Sequence, residues 1–171
     1  AVLIETYRSP ELWVIINELQ KYSNNFIAEQ ILKTLGAEIL GIPGSWEKGT
    51  RVLENFLNEV GIPPDSYIVK NGSGLNDVNR ITAAQMIQVL RYMYKNRLIQ
   101  PEFMGSFAIG GKTGTVGSRF RHLEPQRIRA KTGSLENVSA LSGYVLSQTD
   151  ELLAFSILMN SDGPRSPKLQ K

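Results

Sequence analysis

The 171-residue sequence has no cysteine and one histidine, His122. Zinc and iron centres built from His and Cys clusters therefore have no ligand set to draw on. A Ser-His-Asp triad would rest entirely on His122, which sits in a Gly- and Arg-rich stretch. A hydrolase built on this chain would turn to lysine for its base. The missing cysteine fits cytosol and periplasm alike. No apolar run approaches the ~20 residues of a membrane span. The opening residues, AVLIETYRSPEL, hold neither Met nor a basic segment followed by an apolar core. They are expected to be the interior of a longer protein rather than a natural start or a signal peptide.

The charges that are present are mixed, with a net +3, and 42% of the residues are apolar. That composition suits one folded domain and argues against disorder. The basic residues are scattered apart from RFRH and RIRAK, and no aromatic-plus-basic platform accompanies them. A nucleic-acid partner is not expected.

Periodicity divides the chain into helices first and strands last. In SPELWVIINELQKYS, Ser9 is placed to cap, Pro10 suits the first helical position, and Leu12, Ile15, Ile16 and Leu19 form one stripe. NNFIAEQILKTLG repeats the pattern with Ile27, Ile31, Leu32 and Leu35, and Gly36 reads as its stop. A third helix is predicted from Trp46 to Val60, ending at Gly61, and a short strand over Tyr67 to Lys70. Thr82 and Gln85 form a capping-box pattern at the head of a fourth helix. Residues from about 95 to 125 are glycine-rich and irregular. From about 126 to 161, QRIRAKTGSL, VSALSGYVLS and LLAFSILMNS alternate as strands separated by EN and QTDE, a three-strand antiparallel meander. The fold class is α+β, with a helical part over about 9 to 95 and a sheet part at the end.

One tetrapeptide occurs twice, as KTGT at Lys112–Thr115 and KTGS at Lys131–Ser134. On an edge strand, a lysine followed by small residues leaves an open groove beside its ammonium. Lys131, Thr132 and Ser134 would hold a substrate carboxylate there, and Gly133 would let a ligand approach the backbone. The Ser134 N–H is placed to act as an oxyanion donor. The bland alternative is a solvated lysine that guards an edge strand against aggregation. The upstream copy, GGKTGT, mimics a phosphate loop, but five residues rather than four separate Gly105 from Gly111, and no apolar strand leads in. Lys112 is expected to be a surface residue of a glycine-rich loop.

Ser23 and Asn25 lie at a helix-to-helix junction, where a capping role competes with a hydroxyl and carboxamide presented together at a site wall. An S-x-N turn followed by K-T-G on a strand belongs to the set shared by penicillin-binding proteins and class A β-lactamases. RSPELWVIINELQKYSNNFIAEQILKTLG, NGSGLNDVNRITAAQMIQVL and RIRAKTGSLENVSALSGYV resemble successive blocks of the low-molecular-mass class C penicillin-binding proteins. These are D-alanyl-D-alanine carboxypeptidases and endopeptidases, and the blocks appear in the family's order from about Arg8 to Asn160. Lys131 falls where that family has its strand lysine, and GGKTGT where it has a glycine-rich stretch without a catalytic lysine.

The resemblance implies a partial penicillin-binding, β-lactamase-like fold, with 1–171 as the C-terminal part of one transpeptidase-like domain. It implies acyl transfer through a serine ester on peptidoglycan stem peptides ending in D-Ala-D-Ala, β-lactam binding, no cofactor and no metal, and a periplasmic or outer-face location. Ser23 would pass a proton to the departing D-alanine, Asn25 would bond the substrate amide, and Lys131, Thr132, Gly133 and Ser134 would surround its carboxylate end. The family's S-x-x-K nucleophile motif precedes its S-x-N, whereas the one S-x-x-K here, SWEK at Ser45–Lys48, follows Ser23. Ser45 is expected to be a helix cap. The nucleophile is then expected on an N-terminal portion that is also this chain's partner, leaving apolar surface exposed on helices and meander. The alternative is a catalytically inactive muropeptide-binding relative. Ser73, in NGSGL, is expected to support the site rather than attack.

Overall fold

A computed structural model describes residues 2–122 and 127–161. Residues 123–126, where the irregular stretch was expected to pass into the sheet, lie outside the described residues. Helix α1 spans Leu12–Tyr22, α2 Asn25–Leu40, α3 Trp46–Val60, α4 Ala83–Lys95 and α5 Gln100–Ser106. The strands are β1 Ala108–Ile109, β2 Ile128–Ser134, β3 Val138–Leu146 and β4 Leu152–Asn160. They form one antiparallel sheet in the order β1-β2-β3-β4. The helices-then-sheet expectation holds, with two additions in the stretch read as irregular: the short helix α5 and the two-residue strand β1. Strand β1 is too short to leave a periodic signal and exists through its pairing with Ala130 and Arg129.

The helix ends show where local chemistry was sufficient. Ser45 Oγ accepts the Lys48 N–H at 3.2 Å, so SWEK is a helix cap as expected. Gly61 closes α3 in the left-handed conformation (φ 90). Thr82 and Gln85 make both bonds of the capping box. Ser9 and Pro10, by contrast, do not open α1, which begins at Leu12 after Glu11 with no side-chain cap. The strand expected over Tyr67 to Lys70 shrinks to a single bridge between Ile68 and Arg80.

Gly36 does not stop α2. The helix runs on to Leu40, and Gly36 is buried in its middle. A Cβ there would lie 2.7 Å from the Gly49 nitrogen, and one on Gly49 would lie 2.2 Å from the Leu32 carbonyl oxygen. The two glycines are the contact at which α2 and α3 cross backbone to backbone. A glycine at a crossing and a glycine at a C-cap look identical in one sequence, because both exploit the missing Cβ.

The sheet sorts its residues by parity. Ile128 and Ala130 of β2 point to one face and pack with Ala108 and Val116, backed by Phe120, Leu141, Val145 and Phe155. Tyr144 of β3 points to the other and packs with Leu90 and Phe107 under α4 and α5, its hydroxyl donating to the Leu90 carbonyl at 2.6 Å. That burial pushes the Tyr144 phenol far above its usual range. Lys131 shares the helix-covered face with Tyr144, since Arg129 pairs with Tyr144 and Lys131 with Ser142 two residues on. Large apolar side chains stay exposed, among them Leu153 and Ile157 on β4 and Phe26 and Ile39 on α2. No described helix is long and apolar enough to cross a membrane.

Candidate active site

The α1–α2 junction and strand β2 meet at one hydrogen bond. Lys131 Nζ donates to Ser23 Oγ at 2.7 Å, across 108 residues of sequence, and to the Thr132 carbonyl at 2.6 Å. Two of the three ammonium donors are thereby used. No described carboxylate pairs with Lys131, and burial lowers its pKa. A half-buried ammonium held by a hydroxyl and a carbonyl, without a counter-ion, is poised to exchange a proton with that hydroxyl.

Ser23 reaches this position through a left-handed backbone. At φ 58 and ψ 50 it closes α1, its N–H donating to the Leu19 carbonyl at 2.8 Å. A non-glycine residue in that region carries a cost of order 1 kcal/mol, held here by the helices on either side. Capping of α2 falls to the residue between the two candidates: Asn24 accepts the Ile27 N–H at 3.1 Å. With the cap supplied by Asn24, Ser23 turns to Lys131 and Asn25 is left exposed in the first turn of α2.

The upstream KTGT supports the same place. Lys112 is exposed, as expected of a loop residue. Thr115 Oγ1, however, accepts from the Thr132 hydroxyl at 2.8 Å, joining the two copies through their threonines. Gly114 (φ 60) brings that loop against the end of α1, where an added Cβ would stand 2.4 Å from the Lys21 carbonyl oxygen and 2.8 Å from the Ala108 Cβ. Sequence reasoning missed Thr115 and Gly114 because it set the first KTG copy aside as a failed phosphate loop. The repetition itself was the available signal.

Gly133 pairs with Ala140, and a Cβ there would come within 3.1 Å of the Ala140 Cβ, so the strand pairing as well as the groove calls for glycine. Thr132, Gly133 and Ser134 line an open groove of about 1030 Å³ together with Thr115 and the loop residues Ser118 to His122. Its floor is Leu141, Ile157 and Met159.

The NGSGL turn docks on α2 one helical turn beyond Asn25. Glu29 accepts the N–H groups of Gly72 at 3.2 Å and Ser73 at 2.9 Å and the Trp46 indole N–H at 2.7 Å. Burial pushes the Glu29 carboxyl up, but the bonds from Ser73, Trp46 and Gly72 outweigh it and leave the pKa below the usual value. Gly72 sits so close to α2 that a Cβ would meet the Ala28 carbonyl oxygen at 2.6 Å. Ser73 is thus tied into the framework through its backbone.

A family model described as the D-Ala-D-Ala carboxypeptidase 3 (S13) family matches residues 1–171. A D-alanyl-D-alanine carboxypeptidase of Actinomadura sp. is 32% identical over 173 residues, covering 98% of this chain and 32% of the relative. The D-alanyl-D-alanine carboxypeptidase DacB of Haemophilus influenzae is 30% identical, covering 92% of this chain and 33% of the relative. The crystal structure of penicillin binding protein 4 (dacB) from H. influenzae, complexed with a β-lactam, superposes with a TM-score of 0.80 at 28% identity, over 91% of this chain and 36% of that one. The TLA-1 extended spectrum β-lactamase shares the fold at a TM-score of 0.66 and 16% identity, over 92% of this chain and 58% of that one. The chain spans about a third of the length of the curated relatives it matches.

Proposed function

The chain belongs to the D-Ala-D-Ala carboxypeptidase 3 (S13) family, and on that premise we propose that it supplies two walls of a serine-type D-Ala-D-Ala carboxypeptidase and endopeptidase site. The substrate class is peptidoglycan stem peptide, and β-lactams bind as its mimics. The single observation that carries this reading is the 2.7 Å bond between Lys131 and Ser23, which joins the S-x-N turn to the K-T-G strand.

The nucleophile is a serine outside these 171 residues, with its own lysine as base. Its Oγ attacks the carbonyl carbon of the penultimate D-alanine, the peptide C–N bond breaks, and an acyl-serine ester forms. The departing amine takes the Ser23 hydroxyl proton, and Ser23 is recharged through Lys131. Water then hydrolyses the ester. Asn25 bonds the substrate backbone amide. Thr132 and Ser134 meet the terminal carboxylate in the positive field of Lys131, and the Ser134 N–H supplies one oxyanion donor, a group whose loss typically costs about a hundredfold or more in rate.

Residues 1–171 would form the C-terminal part of one transpeptidase-like domain, completed by the protein's N-terminal portion. The exposed Leu153 and Ile157 of the outermost strand β4 support that partner, as does the third of their length over which the relatives match. The family's substrate supports an extracytoplasmic location.

The test is the intact mass of this chain and of the full-length protein after incubation with a penicillin. The expected result is one adduct, on a serine outside residues 1–171, formed at least a hundredfold more slowly in Lys131→Ala. An adduct at Ser45 would refute the assignment of SWEK as a cap, and a full-length protein that never acquires an adduct would refute the activity.

A further inference from the structure

The bond between Lys131 and Ser23 is one of two ties between the helices and the sheet. The second begins at Glu29, which follows Asn25 by four residues, so the two side chains share a face of α2. One Glu29 carboxylate oxygen accepts the Gly72 N–H at 3.2 Å and the Trp46 indole N–H at 2.7 Å, and the other accepts the Ser73 N–H at 2.9 Å. The Ser73 hydroxyl bonds the carboxylate as well. Three segments thus converge on one charge: α2, the head of α3 and the NGSGL turn.

The turn is braced in its own right. Asn71 Oδ1 accepts from the Gly74 N–H at 2.8 Å and from the Asn79 side-chain amide at 3.1 Å, and Asn71 Nδ2 donates to the Leu75 carbonyl at 2.9 Å. Asn79 Oδ1 accepts the Lys70 N–H at 2.8 Å. The bracing continues through the bridge of Ile68 and Arg80 to α4. There Gln85 donates to the Ser66 carbonyl at 3.1 Å and to the Ser66 hydroxyl at 2.8 Å. Helix α4 lies on the sheet, where its Leu90 carbonyl accepts the Tyr144 hydroxyl at 2.6 Å. Tyr144 stands on β3 two residues from Ser142, the register partner of Lys131. A series of bonded and packed elements therefore runs from the sheet through α4 and the turn to Glu29, and so to the helix turn that presents Asn25.

We propose that Glu29 is a positioning residue for acylation, fixing Asn25 at its distance from the K-T-G strand by anchoring α2 to the sheet through the NGSGL turn and α4. The inference rests on the activity proposed above. The bond from Lys131 to Ser23 sets the separation of the two walls at one point, and a second tie stops α2 from swinging about it. Asn25 is exposed, so its aim depends on where α2 carries it. A carboxylate suits the anchor because its two oxygens accept several N–H groups at once, in bonds stronger than neutral ones.

The experiment measures the rate of penicillin acylation of the full-length protein, by intact mass, for wild type, Glu29→Gln, Asn25→Ala and the double variant. Glu29→Gln keeps the shape of the side chain but turns an amide N–H2 toward groups that are themselves donors. It should slow acylation by about tenfold to a hundredfold, as expected when a positioned group is displaced by up to about 1 Å. In the Asn25→Ala background the same change should slow acylation less than about threefold, because the group it positions is gone. A residue that only stabilises the fold would cost the same factor in both backgrounds. Trp46→Phe removes one bond and keeps the carboxylate, so it should show a smaller loss with the same dependence on Asn25, and it carries the test if Glu29→Gln does not fold. Glu47→Gln, on the exposed first turn of α3, should acylate as wild type does. Equal factors in the two backgrounds, within about twofold, would overturn the inference while leaving the proposed activity intact. A full-length wild type that is never acylated would remove the activity and the positioning role together.

Discussion

The bond between Lys131 and Ser23 makes a quantitative prediction about stability as well as catalysis. Ser23→Ala removes the hydroxyl that accepts from the ammonium at 2.7 Å. A hydrogen bond to a charged group is worth about 1.5–3 kcal/mol net. Lys131 keeps its second acceptor, the Thr132 carbonyl at 2.6 Å, and the group is only partly buried, so water can take up some of the loss. The expected cost is therefore about 1–2 kcal/mol. Lys131→Met removes both bonds but also the desolvated charge, and replacing a buried ion by an apolar side chain of similar volume is often neutral or better. Its expected effect is within about 1 kcal/mol of zero. In that background Ser23→Ala has no ammonium to abandon and should cost under about 0.5 kcal/mol, giving a coupling of about 0.5–2 kcal/mol. Urea denaturation of the four proteins at neutral pH measures it. Single-mutant effects that simply add, within about 0.5 kcal/mol, would refute the claim that these residues act as a pair.

Lys131 also carries a pH signature. Its pKa is lowered in the folded state by burial, so between the folded value and the ordinary 10.5 the unfolded chain binds more protons. Stability from this group should rise with pH across that window, and urea midpoints of wild type minus Lys131→Met should show the slope. Gly114→Ala should destabilise by about 2–4 kcal/mol in thermal melts, combining a left-handed backbone with a Cβ 2.4 Å from the Lys21 carbonyl oxygen. The same change should slow penicillin acylation by shifting Thr115 and the end of α1 together. Gly49→Ala should cost about 2–4 kcal/mol by wedging α3 from α2, despite a gain of up to about 1 kcal/mol in helix propensity. A melting temperature unchanged by Gly49→Ala would refute the backbone crossing.

Features settled among a few neighbouring residues were legible along the chain. Ser45 capping α3, the box of Thr82 and Gln85 and the left-handed Gly61 each satisfy helix-end groups with partners within four residues. The strand register, by contrast, was needed to see that Thr132 and Ser134 lie on one face of β2 and Lys131 on the other. Packing between distant elements was needed to separate a glycine that stops a helix from one that lets two helices cross. Gly36 lies in a good helical run, and its reason is the Gly49 nitrogen of another helix. The folded junction also gave the capping of α2 to Asn24, and so left Ser23 to face Lys131. The two KTG copies were separable by resemblance, but that both serve one place followed from the chain's path, which returns Thr115 to within 2.8 Å of Thr132. A hydrogen bond between residues 108 apart, such as that between Lys131 and Ser23, depends on every element packed between them. Local pattern can nominate its two ends, but it takes the packed chain to bring them together.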